Sequence, residues 1–552
     1  MRTRDDFVDS EVLMAMRRRR HAVVVGGSMA GMLAARVLSD HFAAVTLLER
    51  DQFPETPAAR KGLPQGRHVH ALLERGRGVL DRFLPGLTEE LVGAGAELLD
   101  ATQDVAWLNP YGWYIRRPGD LRMLACSRDL IDWGVRSRVA ALPNVWIRPG
   151  VDVTGLIRKP GDGGGVGGVR FRVRSAGLEA DRRGEEVAAD LVVVADGRNS
   201  RLPDWLTALG YEPPQETVVN SHQGYASRLY RPAKGFKADW KALYIQQAPP
   251  ADPRGGLVSA VEGGLWLVSL VGGDGDYPPT DEEGFLAFAR SLRSPALYEA
   301  IAEAEPLTPI AGQRATENRL RHYVRLKRFP DGVVAVGDAA CAFNPVYGQG
   351  MTTAALGAEV LERWLCGDSS RLGLGRGRAF QRELTRATAT AWQLSTGADY
   401  RFRTTVGPPE CRVTRLIGRY VAGVMQTATR RPWVRRRLTE VLHLLRPPSA
   451  LFGPGVVARL AWDWLAAARP ARAPGRLGRS GTGPRRFAES ASSRSTSSPL
   501  CADDFDANRT ISHRAEMSFS RSGVKSPPAC DSAPGPESNH LPSGNSRERS
   551  RI

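Results

Sequence analysis

From His21 to about Leu445 the chain alternates short β-branched apolar runs with longer amphipathic stretches, the pattern of an α/β architecture with inserted antiparallel sheet. The run His21 to Val25 predicts a buried strand, Gly26 to Gly31 a tight turn, and Met32 to Ser39 a helix. Further strands are predicted at Ala43 to Leu48, Asp190 to Ala195 and Gly332 to Val336, and a helix at Thr352 to Leu365. Between residues 215 and 276 the pattern changes to short pieces separated by Gly and Pro: Gly224 to Tyr230, Ala242 to Ile245 and Gly264 to Val271. They predict an antiparallel β-sheet inserted into the surrounding fold. The expected division is a flexible N-terminus at 1–20, a discontinuous nucleotide-binding domain at 21–214 and 277–400 that includes some segments of the second domain, and the inserted substrate sheet at 215–276. A basic helical region at 401–470 follows, and a tail at 471–552, rich in Ser, Pro, Gly and Arg, is expected to be disordered.

Composition narrows this only slightly. A chain of 552 residues with 42% apolar content fills a sizeable core. The formal charge of +17 raises the question of nucleic acid or anionic membranes. Its arginines gather at Arg17 to Arg20, at Arg430, Arg431 and Arg435 to Arg437, and beyond Pro470, with no zinc-finger spacing and no aromatic-interleaved basic stripe. Solvated charge on the ends and one basic helix is therefore the preferred reading; no nucleic-acid partner is expected, and weak membrane-surface association through the basic C-terminal helices stays open. The six cysteines, 126, 341, 366, 411, 501 and 530, include no C-x-x-C, so neither a disulfide framework nor a metal site is indicated, and a cytoplasmic location is expected. No window approaches the roughly 18 apolar residues of a membrane span, and the apolar run after the N-terminal arginines breaks at Gly26.

The first chemical motif is Gly26, Gly27, Ser28, Met29, Ala30 and Gly31, between a strand and a helix. A strand turning tightly into a helix needs residues without bulky Cβ groups, and the free N–H groups of the helix start suit a dinucleotide pyrophosphate. Ser28 stands where G-x-G-x-x-G has its middle glycine. Glu49 and Arg50 close the second strand about twenty residues on, where a carboxylate accepts from an adenosine ribose hydroxyl. The second motif follows the strand at Gly332 to Val336: Gly337, Asp338, Ala339, Ala340, Cys341, then Pro345, Gly348, Gln349, Gly350 and Met351. A carboxylate at a strand end suits a ribityl hydroxyl, and a Gly-Gln-Gly-Met helix start offers N–H groups and a positive dipole end to a flavin ring.

This segment resembles the flavoprotein aromatic hydroxylase family, whose pattern is G-D-A-A-H-x-x-x-P-x-x-G-Q-G, with Cys341 in place of the His. Two further pieces occur in the family's order: Asp196-Gly197, which the resemblance places near the pyrophosphate and links to nicotinamide-cofactor use, and Ser127-Arg128-Asp129-Leu130, whose Arg128 it brings to the cofactor. The resemblance covers roughly His21 to Asp399. It implies a Rossmann-like FAD-binding domain of the glutathione-reductase/p-hydroxybenzoate-hydroxylase type, an inserted antiparallel sheet as substrate domain, and a helical C-terminal region. It also implies reduction of FAD by NADH or NADPH, then transfer of one oxygen of O2 to a small organic substrate through a flavin C4a-hydroperoxide. Arg60 to His70, Gly224 to Tyr230, Val261 to Trp266 and Phe343 to Gly350 look closest to bacterial polyketide-tailoring epoxidases and hydroxylases, so hydroxylation or epoxidation of a polyketide, aromatic or polyene is expected.

No side chain is assigned a catalytic role, because the flavin carries the chemistry. Tyr225, Tyr230 and Trp266 are candidates for the substrate pocket, against the alternative that they are ordinary sheet core. His68 and His70 have no acidic or cysteine partners in sequence, so a metal role is not expected. A flavin halogenase would carry W-x-W-x-I-P, where this chain has Trp266-Leu-Val-Ser. A flavin-dependent reductase of prenyl chains, and a basic protein binding nucleic acid or a membrane surface, are the competing readings.

Overall fold

A computed structural model describes residues 21–161, 164–174, 184–367 and 375–467. The expected flexible segment 1–20 and tail 471–552 lie outside the described residues. The described residues fall within one compact unit that ends at Ala471.

The apolar runs form a parallel sheet of five strands in the order Val333–Ala335, Leu191–Val194, His21–Val25, Ala44–Leu48, Val145–Arg148. A central parallel strand is covered on both faces, which is why His21–Val25 reads as a continuous apolar run; Ala22, Val23 and Val24 are fully buried. The chain leaves His21–Val25 toward Ala44–Leu48 on one side and later adds Leu191–Val194 on the other. Such a reversal opens a crevice at the carboxyl end of the strands. Helices Met29–Ser39 and Gly350–Cys366 pack against each other, and the second also packs against Arg376–Asp399.

The inserted sheet reaches beyond the expected 215–276. Its eight strands include Val105–Asn109, Gly112–Trp113, Glu305–Pro306 and Ala311–Gln313 as well as Gly224–Arg231, Ala242–Ile245, Arg254–Val261 and Leu265–Gly272. It is antiparallel except where Ala242–Ile245 runs parallel to Val105–Asn109.

Side chains alternate across this sheet with the period of two that any strand imposes. One face carries Ala106, Leu108, Ala226, Leu243, Ile245, Val258, Val268 and Leu270 and is covered by helices Glu282–Arg290 and Ala296–Ile301. Tyr230 lies in that core and Trp266, its register partner, packs against it. Two of the three expected pocket residues therefore belong to the helix-covered face; Trp266 instead stacks near Trp240 and Phe236, at centroid distances of 5.6 and 5.2 Å. The other face carries Tyr225, Ser227, Ser269, Trp107 and Tyr244. The C-terminal helices Arg412–Ala428, Pro432–Leu442 and Pro454–Ala467 gather around Val424, Val434, Val441 and Tyr114, with Trp107 at the margin.

Because Tyr230 is core, Tyr230→Ala is expected to lower unfolding free energy by about 3–5 kcal/mol in urea titrations while leaving the flavin affinity of the folded protein unchanged.

Candidate cofactor site

At the carboxyl end of the parallel sheet a cavity of about 390 Å³ is lined by residues from every nucleotide motif in the sequence. Gly26, Gly27, Ser28, Met29 and Ala30 line it, with Glu49, Arg50, Arg128, Asp196, Gly197, Asp338, Pro345, Gly348, Gly350 and Met351. Gly31 and Gln349 stand behind this surface, and none of Tyr225, Tyr230 and Trp266 reaches it.

The turn after the central strand is held by backbone proximity. Gly26 has φ +102°, and a Cβ there would sit 2.4 Å from the Ala195 carbonyl oxygen. A Cβ on Gly31 would sit 1.8 Å from the Gly26 carbonyl oxygen, so the helix starts directly on the turn. Ser28 explains its departure from glycine: its Oγ accepts a hydrogen bond of 3.0 Å from Arg128 Nη2. Ser28–Ala30 and Gly350–Met351, the starts of two helices, line the same cavity, and N–H groups of a helix's first turn have no partner within it. Two positive dipole ends therefore address one space, an arrangement that binds anions.

Carboxylates and arginines surround those helix starts. Glu49 Oε2 accepts from the Gly27 N–H at 2.6 Å and its Oε1 from the Asp51 N–H at 3.0 Å. Arg60, which no cofactor motif singles out, lies 3.6 Å from both Glu49 and Asp51, 3.3 Å from Asp132, and donates to the Gly27 carbonyl at 3.1 Å. Arg128 opens helix Arg128–Ala140, where Ser127 Oγ accepts from the Leu130 N–H at 3.1 Å. Burial pushes the Arg128 guanidinium down from its ordinary value, against the opposing effect of Asp132.

Asp196 and Asp338 end neighbouring strands of the sheet, and burial raises both carboxyl groups. Arg198, Arg128 and Arg321 oppose that rise at Asp338. Arg198 also donates to the carbonyls of Glu317 and Phe343, and Arg321 to those of Arg198, Asp338 and Ala339. Cys341, where the family pattern has His, is buried with Phe343 and Ala391 and takes no part in the cavity wall.

His70 lines the cavity; burial, then the charge of Arg128, pushes its imidazole down to about 3, so the ring is neutral at pH 7. His68 lies against Tyr225 with ring centroids 4.3 Å apart and shares a hydrogen bond of 2.8 Å with Ser227. Among the described residues no group of His, Cys, Asp and Glu is arranged to hold a metal.

A second polar centre fixes the loop before Gly348. Asp399, with no exposed surface, ends helix Arg376–Asp399. Its Oδ1 accepts from Tyr347 Oη at 2.6 Å, Gln223 Nε2 at 2.8 Å and Asn344 Nδ2 at 3.1 Å, and its Oδ2 from Asn318 Nδ2 at 2.6 Å. One carboxylate thus joins the cavity loop, the large sheet and the C-terminal end of a long helix. Sequence reading missed it, as its partners are scattered from Gln223 to Tyr347.

The cavity suits a flavin dinucleotide. Its unpaired polar atoms include Arg128 Nε and Asp196 Oδ1, both buried without a hydrogen-bond partner, and groups of this kind are costly unless a ligand meets them. Fold and site together define an FAD-dependent oxidoreductase. The FAD binding domain family matches residues 19–366, and the chain belongs to that family. Protein Rv3254 of Mycobacterium tuberculosis is 34% identical over 474 residues, 82% of this chain and 96% of that protein. A kynurenine 3-monooxygenase of Salinispora arenicola is 29% identical over 376 residues, 64% of this chain and 74% of that one. Among solved structures the flavin-dependent brominase Bmp2 covers 81% of this chain and 100% of its own, with a TM-score of 0.55 at 16% identity, a likeness of fold. Among the described residues no helix is long and apolar enough to cross a membrane.

Burial, opposed by the hydrogen bonds from Tyr347, Ser221, Asn344 and Gln223, pushes the Asp399 carboxyl up from 3.8 to about 6. The folded protein then keeps a proton that the unfolded chain releases, so the stability this group contributes is present at low pH and lost as pH rises through about 6. Between pH 4 and 6, denaturant unfolding of the wild type should lose on the order of 3 kcal/mol relative to Asp399→Asn, whose amide does not titrate.

Proposed function

We propose that the protein is a single-component monooxygenase that places one oxygen atom of O2 on an organic substrate, by hydroxylation or epoxidation, with NADH or NADPH as reductant. The observation that carries this reading is the convergence of Gly26–Ala30, Asp196–Gly197 and Asp338–Met351 on one cavity, three motifs that chain order alone makes informative. The similarity to a kynurenine 3-monooxygenase supports oxygen transfer to an aromatic ring; a polyketide or polyene substrate rests on the subfamily resemblance.

In this reading Gly26–Gly31 and Arg128 hold the pyrophosphate, Glu49 the adenosine ribose with Arg50 beside it, and Asp338 the ribityl chain. Asp196 and Gly197 complete the wall near the pyrophosphate. Pro345, Gly348, Gln349, Gly350 and Met351 position the flavin ring at a helix start whose dipole stabilises negative charge. FAD, once bound and reduced, supplies the activation of O2. The chain's task is to exclude water and aim the substrate, for which the candidate is the Tyr225, Ser227 and Tyr244 face of the large sheet, opposite the face covered by Glu282–Arg290 and Ala296–Ile301. Tyr225 is thus retained as a substrate-pocket candidate. Neutral His70 adds a polar group to the wall without adding charge.

Arg128→Ala removes a charged donor from the pyrophosphate position and should weaken FAD binding about 10- to 100-fold, read from quenching of flavin fluorescence on titration into apoprotein. Steady-state assays should show NAD(P)H oxidation matched by O2 uptake when phenols and polyenes are screened as substrates. Substrate-dependent NAD(P)H oxidation without O2 uptake, with a double bond saturated in the product, would replace this reading with a prenyl-chain reductase. A protein that takes up no FAD on reconstitution would overturn it altogether.

A further inference from the structure

Among the described residues seventeen large apolar side chains are exposed, and ten of them lie between Val406 and Leu465. So uneven a distribution differs from the singly scattered apolar exposure of ordinary protein surfaces. It concentrates on helix Arg412–Ala428, where every residue from Arg412 to Arg419 is exposed. Val413 is 64% exposed, Leu416 66% and Ile417 44%.

These three side chains recur at helical spacing, and Tyr420 and Val424 extend the same stripe toward the C-terminal end. There the stripe is covered: Val424 is fully buried with Ala428, Val434 and Val441, and the Tyr420 ring stacks on Phe452 at 4.4 Å. Its N-terminal half continues the stripe with nothing described on top of it. Arg412, Arg415 and Arg419 repeat at the same spacing and form an adjoining cationic stripe; no ion pair to any of them is found among the described residues.

Charge selects the occupant. A second copy docking through the same helix would bury the apolar stripe but bring no carboxylate to the arginines, since helix Arg412–Ala428 contains no Asp or Glu. The chain beyond Ala471 carries more Arg and Lys than Asp and Glu, so its net charge does not complement the stripe. An anionic lipid surface satisfies both stripes at once, because apolar side chains enter the boundary between headgroups and acyl chains while guanidinium groups reach the phosphates. With no described helix long and apolar enough to cross a bilayer, contact by this helix lies along the surface.

We propose that the exposed half of helix Arg412–Ala428 docks the protein on anionic membranes, with Val413, Leu416 and Ile417 inserted among the lipids and Arg412, Arg415 and Arg419 on their phosphates. The test is co-sedimentation of the full-length, flavin-loaded protein with vesicles of phosphatidylcholine, with and without phosphatidylglycerol. The wild type should sediment with the anionic vesicles at low salt, stay in solution with the neutral ones, and be released by high salt. Leu416→Glu with Ile417→Glu, and separately Arg415→Glu with Arg419→Glu, should each weaken partitioning on the order of tenfold or more, as a single basic residue near an anionic surface contributes about fivefold. Unchanged flavin absorbance and melting temperature establish that each variant is folded. A wild type that stays in solution with anionic vesicles overturns the proposal. So do variants that sediment as well as the wild type, which would move the binding to arginines elsewhere. A concentration-dependent dimer in sedimentation velocity that Leu416→Glu dissolves would also overturn it and assign the stripe to a second copy.

Discussion

The structure around the cofactor depends on one steric constraint, the approach of the Met29–Ser39 helix to the end of the central strand. With the Gly31 Cα placed so that any Cβ would lie 1.8 Å from the Gly26 carbonyl oxygen, helix and turn form one rigid corner. Gly337 repeats the device from the neighbouring chain segment, where an added Cβ would sit 2.6 Å from the Cβ of Ala30. Glycine here is required by distance, and the consequence is electrostatic. The first N–H groups of the helix come within reach of a ligand lying across the strand ends, and the Asp338 turn is brought beside them.

Such a site collects charge, and the protein manages it with shared arginines. Arg60 lies near three carboxylates, Glu49, Asp51 and Asp132, and its side chain is only 5% exposed. Removing a guanidinium from water is costly unless several partners meet it, and a planar group with five donors meets several where an ammonium would not. Arg321 plays the corresponding part on the other side, tying the turn after Asp196 to the one after Asp338 through main-chain carbonyls. The two strand-end carboxylates are thereby held at fixed separation before any ligand arrives.

What sequence revealed and what it concealed follow from range. Each cofactor motif is a strand end with the few residues after it, so its chemistry is local, and fifteen of its expected residues line one cavity. The extent of the large sheet was not local: Val105–Asn109 is a short apolar run whose partner, Ala242–Ile245, is set by tertiary pairing. The pocket residues fall between these cases. Tyr225 and Tyr230 are an odd number of positions apart on one strand, so they face opposite sides and cannot both line one pocket. That parity is legible; which side the helices cover is not, because it depends on Glu282–Arg290 and Ala296–Ile301 much further along the chain. Asp399 lies at the far limit, an acidic residue at a helix end with nothing in its neighbourhood to single it out.

Asp399 also shows how the two halves of the molecule are coupled. The loop Asn344–Gly348 has no sheet or helix of its own beyond a single turn at Pro345–Tyr347, yet it lines the cavity at Pro345 and Gly348. Its conformation is set by Asn344 and Tyr347, both donating to Asp399, which takes a further hydrogen bond from Gln223 at the start of a large-sheet strand. Gln223 in turn accepts from Gln247 Nε2 at 3.1 Å on the same sheet. The sheet face that carries Tyr225 and the loop that lines the cavity at Pro345 and Gly348 are therefore connected through one buried carboxylate. In a low-dielectric interior such a network is rigid when every donor is satisfied and costly when one is lost. Gln223 and Asp399 thus form a hydrogen-bonded link between the sheet and the cavity loop, and it does not pass through the glycine corner.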